Sequence, residues 1–254
     1  MKSEKTIPTW KGETMKTKNG WMMAVAASAV LVAAVGAHAA AKDEGGGVSP
    51  IGFAIAEGAQ LPSYRTGVTG LRLAFFGGAN RRMYGLSIGA FANGNARRGG
   101  DGDVGGLQIA GVLNDANAAE FGVWQIAGFG NIVRNGGSLV QLAGVFNWTE
   151  GPSRGLQLAG VFNLADGEFT GVQIAGLCNV SEQTFNGLQL AAINVAHARM
   201  EGLQIGAINY ANTLRGIQIG AFNVAGRDMS GMSLGAFNII ADNLALWPLL
   251  RVGF

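Results

Sequence analysis

Apolar and polar positions follow a short motif that recurs along most of the chain. One copy reads GLQLAGVFN at residues 155–163, and another reads GLQIGAIN at residues 202–209. A glutamine between two apolar residues is the alternation typical of a β-strand, in which successive side chains point to opposite faces. The Gly, Ala and Asn residues that follow include types that tolerate left-handed backbone angles, which indicates a corner. Each copy therefore predicts a short strand, a corner, a second short strand and a turn.

The copies are regularly spaced, as in repeat architectures. Their central polar residues lie 14 to 17 residues apart, except for one interval of 21 residues. The central residues are Ser87, Gln108, Gln125, Gln141, Gln157, Gln173, Gln189, Gln204, Gln218 and Ser233. The matching asparagines are Asn93, Asn114, Asn131, Asn147, Asn163, Asn179, Asn194, Asn209, Asn223 and Asn238. A degenerate first copy, with Arg72 at its centre and Asn80 as its asparagine, brings the number of copies to about eleven.

Two all-β architectures can use this repeat. In the one we favour, a β-solenoid of the parallel β-roll type, each copy forms one of about eleven coils of 14–17 residues. The same residue then recurs at the same place in every coil, so the glutamines and the asparagines are expected to form two hydrogen-bonded ladders. The Gln-to-Asn spacing falls from six to five residues after Asn179. A corner accommodates that change, whereas it would flip every later side chain of a membrane strand.

The alternative is an antiparallel outer-membrane β-barrel, with one membrane-spanning strand in each copy. In copies with the six-residue spacing, Leu156, Leu158 and Phe162 would share one face of an extended strand, and Gln157 and Asn163 the other. The chain also ends in apolar residues at alternate positions, which resembles the C-terminal sorting signal of outer-membrane barrels. These residues are Leu250, Val252 and Phe254.

In the solenoid, we interpret the apolar residues beside each glutamine as the core and the glutamines as part of the outer face. A further apolar residue, such as Phe169 or Phe185, lies four residues before the glutamine. We therefore expect Leu158→Arg to destabilise the fold severely and Gln157→Arg to be mild.

The N-terminus has the features of a secretory signal peptide over residues 1–39. Lys16 and Lys18 precede an apolar stretch at residues 21–36, and an Ala-His-Ala cleavage pattern ends at Ala39. This leader holds five of the 18 Lys and Arg residues and two of the 16 Asp and Glu residues, so the mature chain has 13 basic and 14 acidic residues. Such a balance argues against a nucleic-acid partner, which requires a clustered basic face.

The remaining chain divides into a short N-terminal part, a repeat domain and a C-terminal part. Residues 40–64 are predicted to form a linker and a capping strand, and residues 65–240 the repeats. Residues 241–254 are predicted to form a C-terminal cap or an outer-membrane sorting signal.

The mature chain offers no candidate catalytic residues or metal ligands. Its single histidine, His197, lies in a turn, and its single cysteine, Cys178, takes the place of an apolar residue of the motif. A glycine–aspartate loop at residues 99–104 departs from the calcium-binding nonapeptide, because Val104 stands where an Asp is required. We therefore predict a protein that is not an enzyme and has no cofactor and no metal site.

The repeats resemble a family of bacterial surface-repeat proteins of the Leptospira and Bacteroides type, which carry G-Φ-Q-Φ-G-x-x-N copies behind a signal peptide. The resemblance covers about residues 65–254. Later copies, such as GIQIGAFNVA at residues 216–225, are also similar to the coils of trimeric autotransporter heads, which are parallel β-rolls used in adhesion. The chain departs from those heads because it has no heptads for a coiled-coil stalk.

Together these features predict a protein exported to the outer membrane or cell surface of a Gram-negative bacterium. A solenoid would act as a structural or adhesion-type binding module with an extended repetitive surface. Its partner would be a surface polymer, a glycan or another copy of the chain, so an oligomer is among the expectations. A barrel would instead be an outer-membrane channel or transporter, with Gln and Asn lining its lumen.

Overall fold

A computed structural model describes residues 47–56, 58–95, 104–117, 119–241 and 245–253. All regular secondary structure in these residues is β-strand. The predicted leader, residues 99–103 of the glycine–aspartate loop and Phe254 lie outside the described residues.

The strands alternate between long and short through most of the chain. In order they are β1 (Val48–Ala56), β2 (Ala59–Leu61), β3 (Gly67–Ala74), β4 (Ala79–Asn80), β5 (Met83–Gly89), β6 (Ala92–Asn95), β7 (Val104–Ala110), β8 (Leu113–Ala116), β9 (Ala119–Ala127), β10 (Gly130–Val133), β11 (Gly137–Ala143), β12 (Phe146–Thr149), β13 (Ser153–Ala159), β14 (Phe162–Ala165), β15 (Phe169–Ala175), β16 (Cys178–Ser181), β17 (Phe185–Leu190), β18 (Ile193–Ile205), β19 (Ile208–Ile219), β20 (Phe222–Ile240) and β21 (Ala245–Gly253). In β18, β19 and β20 the short strand of one coil continues without a break into the next long strand.

Equivalent strands of successive coils pair in parallel. β15 lies between β13 and β17, with Gln173 opposite both Gln157 and Gln189. The short strands β12, β14 and β16 stack in the same way, with the asparagine of each coil opposite the next. The predicted parallel β-solenoid of about eleven coils is therefore confirmed, and the antiparallel barrel is wrong.

A column of glycines with positive φ runs through the long strands, two residues before each central position. Gly155, Gly171 and Gly187 have φ angles of +135°, +143° and +135°, which residues with a Cβ rarely adopt. A Cβ on Gly171 would also collide with the carbonyl oxygen of Gly155 in the preceding coil. These positions therefore require glycine for its backbone angle and for the space it leaves to the preceding coil.

The interior of the coils holds both apolar and polar columns. At the start of the long strands, Phe169, Phe185 and Met200 are fully buried. Small residues at the end of the short strands, such as Ala165 and Ala196, are buried with them. The glutamine and asparagine columns complete the interior.

Antiparallel strands lie at both ends of the stack. β2 pairs antiparallel with β1, which itself pairs in parallel with β3, and β21 pairs antiparallel with β20. Pro248 in β21 has no N–H to donate, and Leu249 has a φ of 67°. The outer edge of β21 is therefore a poor template for a further strand. Leu250 and Val252 lie on β21, and each is 50% exposed.

We expect Gly171→Ala to destabilise the solenoid much more than Gly122→Ala. Both glycines have positive φ, at +143° and +83°, but a Cβ on Gly122 would meet no atom within 4 Å. Backbone strain alone should cost about 1–2 kcal/mol at Gly122, and the added collision should raise the cost at Gly171 to about 3 kcal/mol or more. Urea unfolding followed by circular dichroism would measure the free energy of unfolding of both variants. Equal losses of that free energy would contradict the close approach of the coils at Gly171.

Candidate functional site

The glutamines form a ladder inside the coils. Gln157 Nε2 donates to Gln141 Oε1 at 2.8 Å, and Gln173 Nε2 donates to Gln157 Oε1 at 2.6 Å. The same bond joins the other neighbouring glutamines from Gln108 to Gln218. All of these glutamines are at most 1% exposed. The amide N–H of each coil therefore points toward the preceding coil.

The asparagines form a second buried ladder, which runs in the opposite direction. Asn163 Nδ2 donates to Asn179 Oδ1 of the following coil at 2.9 Å, and to the backbone oxygen of Ile174 at 2.9 Å. Asparagine-to-asparagine bonds continue from Asn93 to Asn238. Each amide thus binds its neighbour and, in most coils, also satisfies a backbone acceptor next to the corner.

The expectation that the glutamines belong to the outer face is wrong. A side-chain amide has two N–H donors and an acceptor, and a stack of identical amides pairs one donor and the acceptor of each without water. Because successive side chains of a strand point to opposite faces, burial of the glutamine places both of its apolar neighbours outside. Leu158 is accordingly 41% exposed, whereas Gln157 is fully buried.

The degenerate first copy joins the glutamine column but not the asparagine ladder. Arg72 lies opposite Ser87, as its position in the motif predicts. Asn80 lies opposite Asn95, two residues beyond the ladder residue Asn93. Its Nδ2 donates to backbone oxygens of Ser63 and Thr66, so the pairing of Asn80 with the other repeat asparagines is wrong.

Two apolar columns run along the outer surface, one on each side of the glutamine ladder. Their residues are all Leu, Ile, Val, Met or Trp, and none of them is buried. The column before the central residues consists of Leu71, Leu86, Leu107, Trp124, Val140, Leu156, Val172, Leu188, Leu203, Ile217 and Met232. The column after them consists of Leu73, Ile88, Ile109, Ile126, Leu142, Leu158, Ile174, Leu190, Ile205, Ile219 and Leu234.

Apolar residues at the corners extend this surface. The rings of Phe146 and Phe162 stack with their centroids 5.5 Å apart, and those of Phe222 and Phe237 stack at 5.0 Å. The two columns and the corner residues are together called the apolar side. Its corner residues are Phe91, Val112, Phe129, Phe146, Phe162, Leu177, Phe222 and Phe237.

The apolar side carries no exposed charge. From the residue before each central position to the corner, the only charged residue of the described coils is Arg72, which is buried. Charged side chains lie instead in the short strands, the turns and the starts of the long strands. Arg134, for example, lies 3.2 Å from Asp115 and 3.4 Å from Glu150.

The apolar side is larger than the apolar patches of most monomers. Eleven coils about 4.8 Å apart give a length of about 50 Å. On one face of a strand each side chain occupies the length of two residues, at about 3.3 Å per residue, so the two columns are together about 13 Å wide. The product, about 650 Å², already exceeds the roughly 300–600 Å² of the largest patch on a typical monomer. Patches of this size are typical of interaction surfaces. Sequence reasoning missed this patch, although the absence of charge from both columns in every copy was a visible signal.

The described side chains that could carry chemistry include His197, Cys178 and the carboxylates. The described residues contain no group of three His, Cys, Asp or Glu side chains that could hold a metal ion. His197 is exposed, and its Nδ1 lies 2.8 Å from Glu182 Oε2. Cys178 is partly exposed at the corner, and burial raises the pKa of its thiol. In the described part of the chain, no helix is long and apolar enough to cross a membrane.

Comparisons of the chain with protein-family models, with curated proteins and with solved structures gave no match. The apolar side is therefore the feature from which a function can be inferred.

We expect Gln157→Leu to be severely destabilising and Leu158→Gln to be mild. Gln157→Leu removes the partners of Gln173 Nε2 and Gln141 Oε1, and each buried orphan should cost about 1–3 kcal/mol. Leu158→Gln changes a side chain that is 41% exposed and should cost less than about 1 kcal/mol. Urea unfolding at concentrations where both variants are monomeric would measure the difference. A larger loss of unfolding free energy for Leu158→Gln than for Gln157→Leu would indicate that Leu158 faces inward and would contradict the inward orientation of Gln157.

Proposed function

We propose that this protein is an exported structural and binding module that works through its apolar side and pairs there with a second copy of itself. The observation that carries the proposal is the run of apolar, uncharged columns along about eleven coils. Export is supported by the signal-peptide features of residues 1–39 and by the resemblance of the repeats to bacterial surface-repeat proteins.

The chemistry of the apolar side favours a second copy over a glycan or a polar polymer. Carbohydrates are recognised through hydrogen bonds combined with stacking on aromatic rings. The apolar side offers aromatic rings, such as Trp124, but almost no hydrogen-bonding side chains. Recognition through exposed glutamines is also excluded, because the glutamines are buried. The channel or transporter alternative depended on a barrel and is not proposed.

The size and shape of the apolar side suit an interface between two copies. A standard interface buries about 800 Å² on each partner, and the columns with the corner residues provide an area of that order. Both surfaces would have the same 4.8 Å spacing between coils, so side chains of one copy can interdigitate with those of the other, with the sheets about 10 Å apart. Neither copy would have to desolvate a charge on this surface.

We expect the protein purified from cells that express the full chain to have at least twice the mass of its monomer. Replacing Leu158, Ile174 and Leu190 together by Gln should lower the mass to that of a monomer while the circular dichroism spectrum stays β-rich. The matched control replaces Arg154, Thr170 and Asn186 by Gln in the same three coils, where all three residues are exposed. Light scattering after size-exclusion chromatography would measure the masses.

Two results would overturn parts of the proposal. A monomeric wild-type protein that floats with phospholipid vesicles would assign the apolar side to a membrane instead of a second copy. Recovery of the protein in the cytoplasmic fraction, with residues 1–39 still attached, would contradict export.

A further inference from the structure

The N-terminal end of the glutamine column contains a buried cation. Arg72 occupies the central position of its coil and is 1% exposed. Its Nε donates to Ser87 Oγ at 2.8 Å, and its Nη1 donates to the backbone oxygen of Gly94 at 2.9 Å. No described carboxylate forms an ion pair with it, and its Nη2 has no hydrogen-bond partner among the protein atoms. Burial lowers the pKa of Arg72 to about 10, so the guanidinium is charged at neutral pH.

A second unpartnered donor lies on the other side of Ser87. Ser87 is opposite Arg72 in one direction and opposite Gln108 in the other. Gln108 Nε2 also has no hydrogen-bond partner among the described residues. In the other coils the equivalent Nε2 donates to the glutamine of the preceding coil, as Gln125 does to Gln108 at 2.8 Å. Serine is too short to supply that acceptor.

Both donors point to the level of Ser87. The Nε–H of a guanidinium and one N–H of Nη2 are parallel and lie on the same edge. Because Nε donates to Ser87 Oγ, Nη2 of Arg72 is directed to the same coil. Gln108 approaches this level from the following coil, since the glutamine ladder directs every Nε2 toward the preceding coil. In the coils that carry a glutamine, its amide occupies the space beside this position, whereas Ser87 leaves that space open. The N–H groups of Arg72 Nη2 and Gln108 Nε2 both face it.

The glutamine ladder adds to the positive potential at this place. Its amides are aligned from Gln218 to Gln108, with each N–H toward the N-terminal coils. Aligned dipoles present the positive end of the series at Gln108, as backbone dipoles do at a helix N-terminus. The asparagine ladder runs in the opposite direction, so it ends nearby in an acceptor, Asn93 Oδ1. That acceptor is already occupied, because Ser87 Oγ donates to it at 2.8 Å.

From this arrangement we infer that Arg72 Nη2 and Gln108 Nε2 bind a small monovalent anion of halide size beside Ser87. The anion accepts both hydrogen bonds and compensates a guanidinium charge that no carboxylate of the described residues neutralises. The site closes the N-terminal end of the glutamine ladder, so the anion stabilises the folded state by RT ln(1 + c/Kd), where c is the concentration of the free anion.

Crystals of the full chain grown in sodium bromide test the inference directly. We expect an anomalous bromide peak within hydrogen-bond distance of Arg72 Nη2 and Gln108 Nε2. Bromide found only at other positions, with a water or no density beside Ser87, would overturn the inference.

Stability provides a second readout. Replacing sodium gluconate by sodium bromide at constant sodium concentration should raise the urea midpoint of the wild-type protein, and above the Kd the increase should be linear in the logarithm of the bromide concentration. The double variant Arg72→Gln with Ser87→Gln continues the glutamine ladder and should show no halide-dependent shift. The matched control is Arg154→Gln with Ser138→Gln, which removes an exposed hydrogen bond that also runs from an arginine Nε to a serine Oγ, at 2.7 Å, and this control should keep the shift. A wild-type midpoint that responds equally to both salts would refute the inference even if the double variant failed to fold.

Discussion

The stacking of identical side-chain amides inside the coils is the constraint on which the rest of the structure depends. A buried Gln or Asn amide must find its partner at the same level of the next coil, or the cost of burying it is not recovered. The chain therefore has to return each amide to the same point once per coil. Several irregularities of register lie between the asparagine of one coil and the long strand of the next, as between Ala196 and Arg199. Repeat length can vary in the turns because the ladders are formed elsewhere.

The apolar side follows from that constraint. The alternation of a strand allows either the glutamine or its two neighbours to face inward, and the ladder selects the glutamine. What remains of the interior is filled by a column of larger apolar residues, such as Phe185 and Met200, and a column of small residues. The coils are thus held together by amide ladders and a narrow apolar core, and a large fraction of the Leu, Ile and Val residues is left on the surface.

The sequence was sufficient to predict the solenoid, because repetition at a nearly constant interval and the change in Gln-to-Asn spacing both favour parallel coils. It was not sufficient to orient the strands. Leu158 and Gln157 alternate equally well with either one inside, and the usual preference for apolar cores favoured the wrong choice. The two predicted ladders already implied the correct orientation. Amides bond to each other in preference to water only where water is excluded, so glutamines that form a ladder must be buried. The motif placed Arg72 opposite Ser87. Its hydrogen bonds to Asn80 Oδ1 and to the backbone oxygen of Gly94 could not be predicted, because β4 pairs with β6 two residues beyond the asparagine ladder.

The ends of the ladders explain why the N-terminal coils differ from the others. Each ladder leaves one amide group without a neighbour at each of its ends. At the C-terminal end, Ser233 Oγ donates to Gln218 Oε1 at 3.4 Å, and Asn238 Nδ2 donates to the backbone oxygen of Trp247 on β21 at 3.1 Å. At the N-terminal end of the asparagine ladder, Ser87 Oγ supplies the missing donor. The glutamine ladder alone ends in an N–H that no protein atom accepts, and there the chain places a cation instead of an acceptor. Gln108 Nε2 and the buried guanidinium of Arg72 lie on either side of the short side chain of Ser87. A single negative charge stabilises both groups, and neither a longer ladder nor a capping strand would supply that charge.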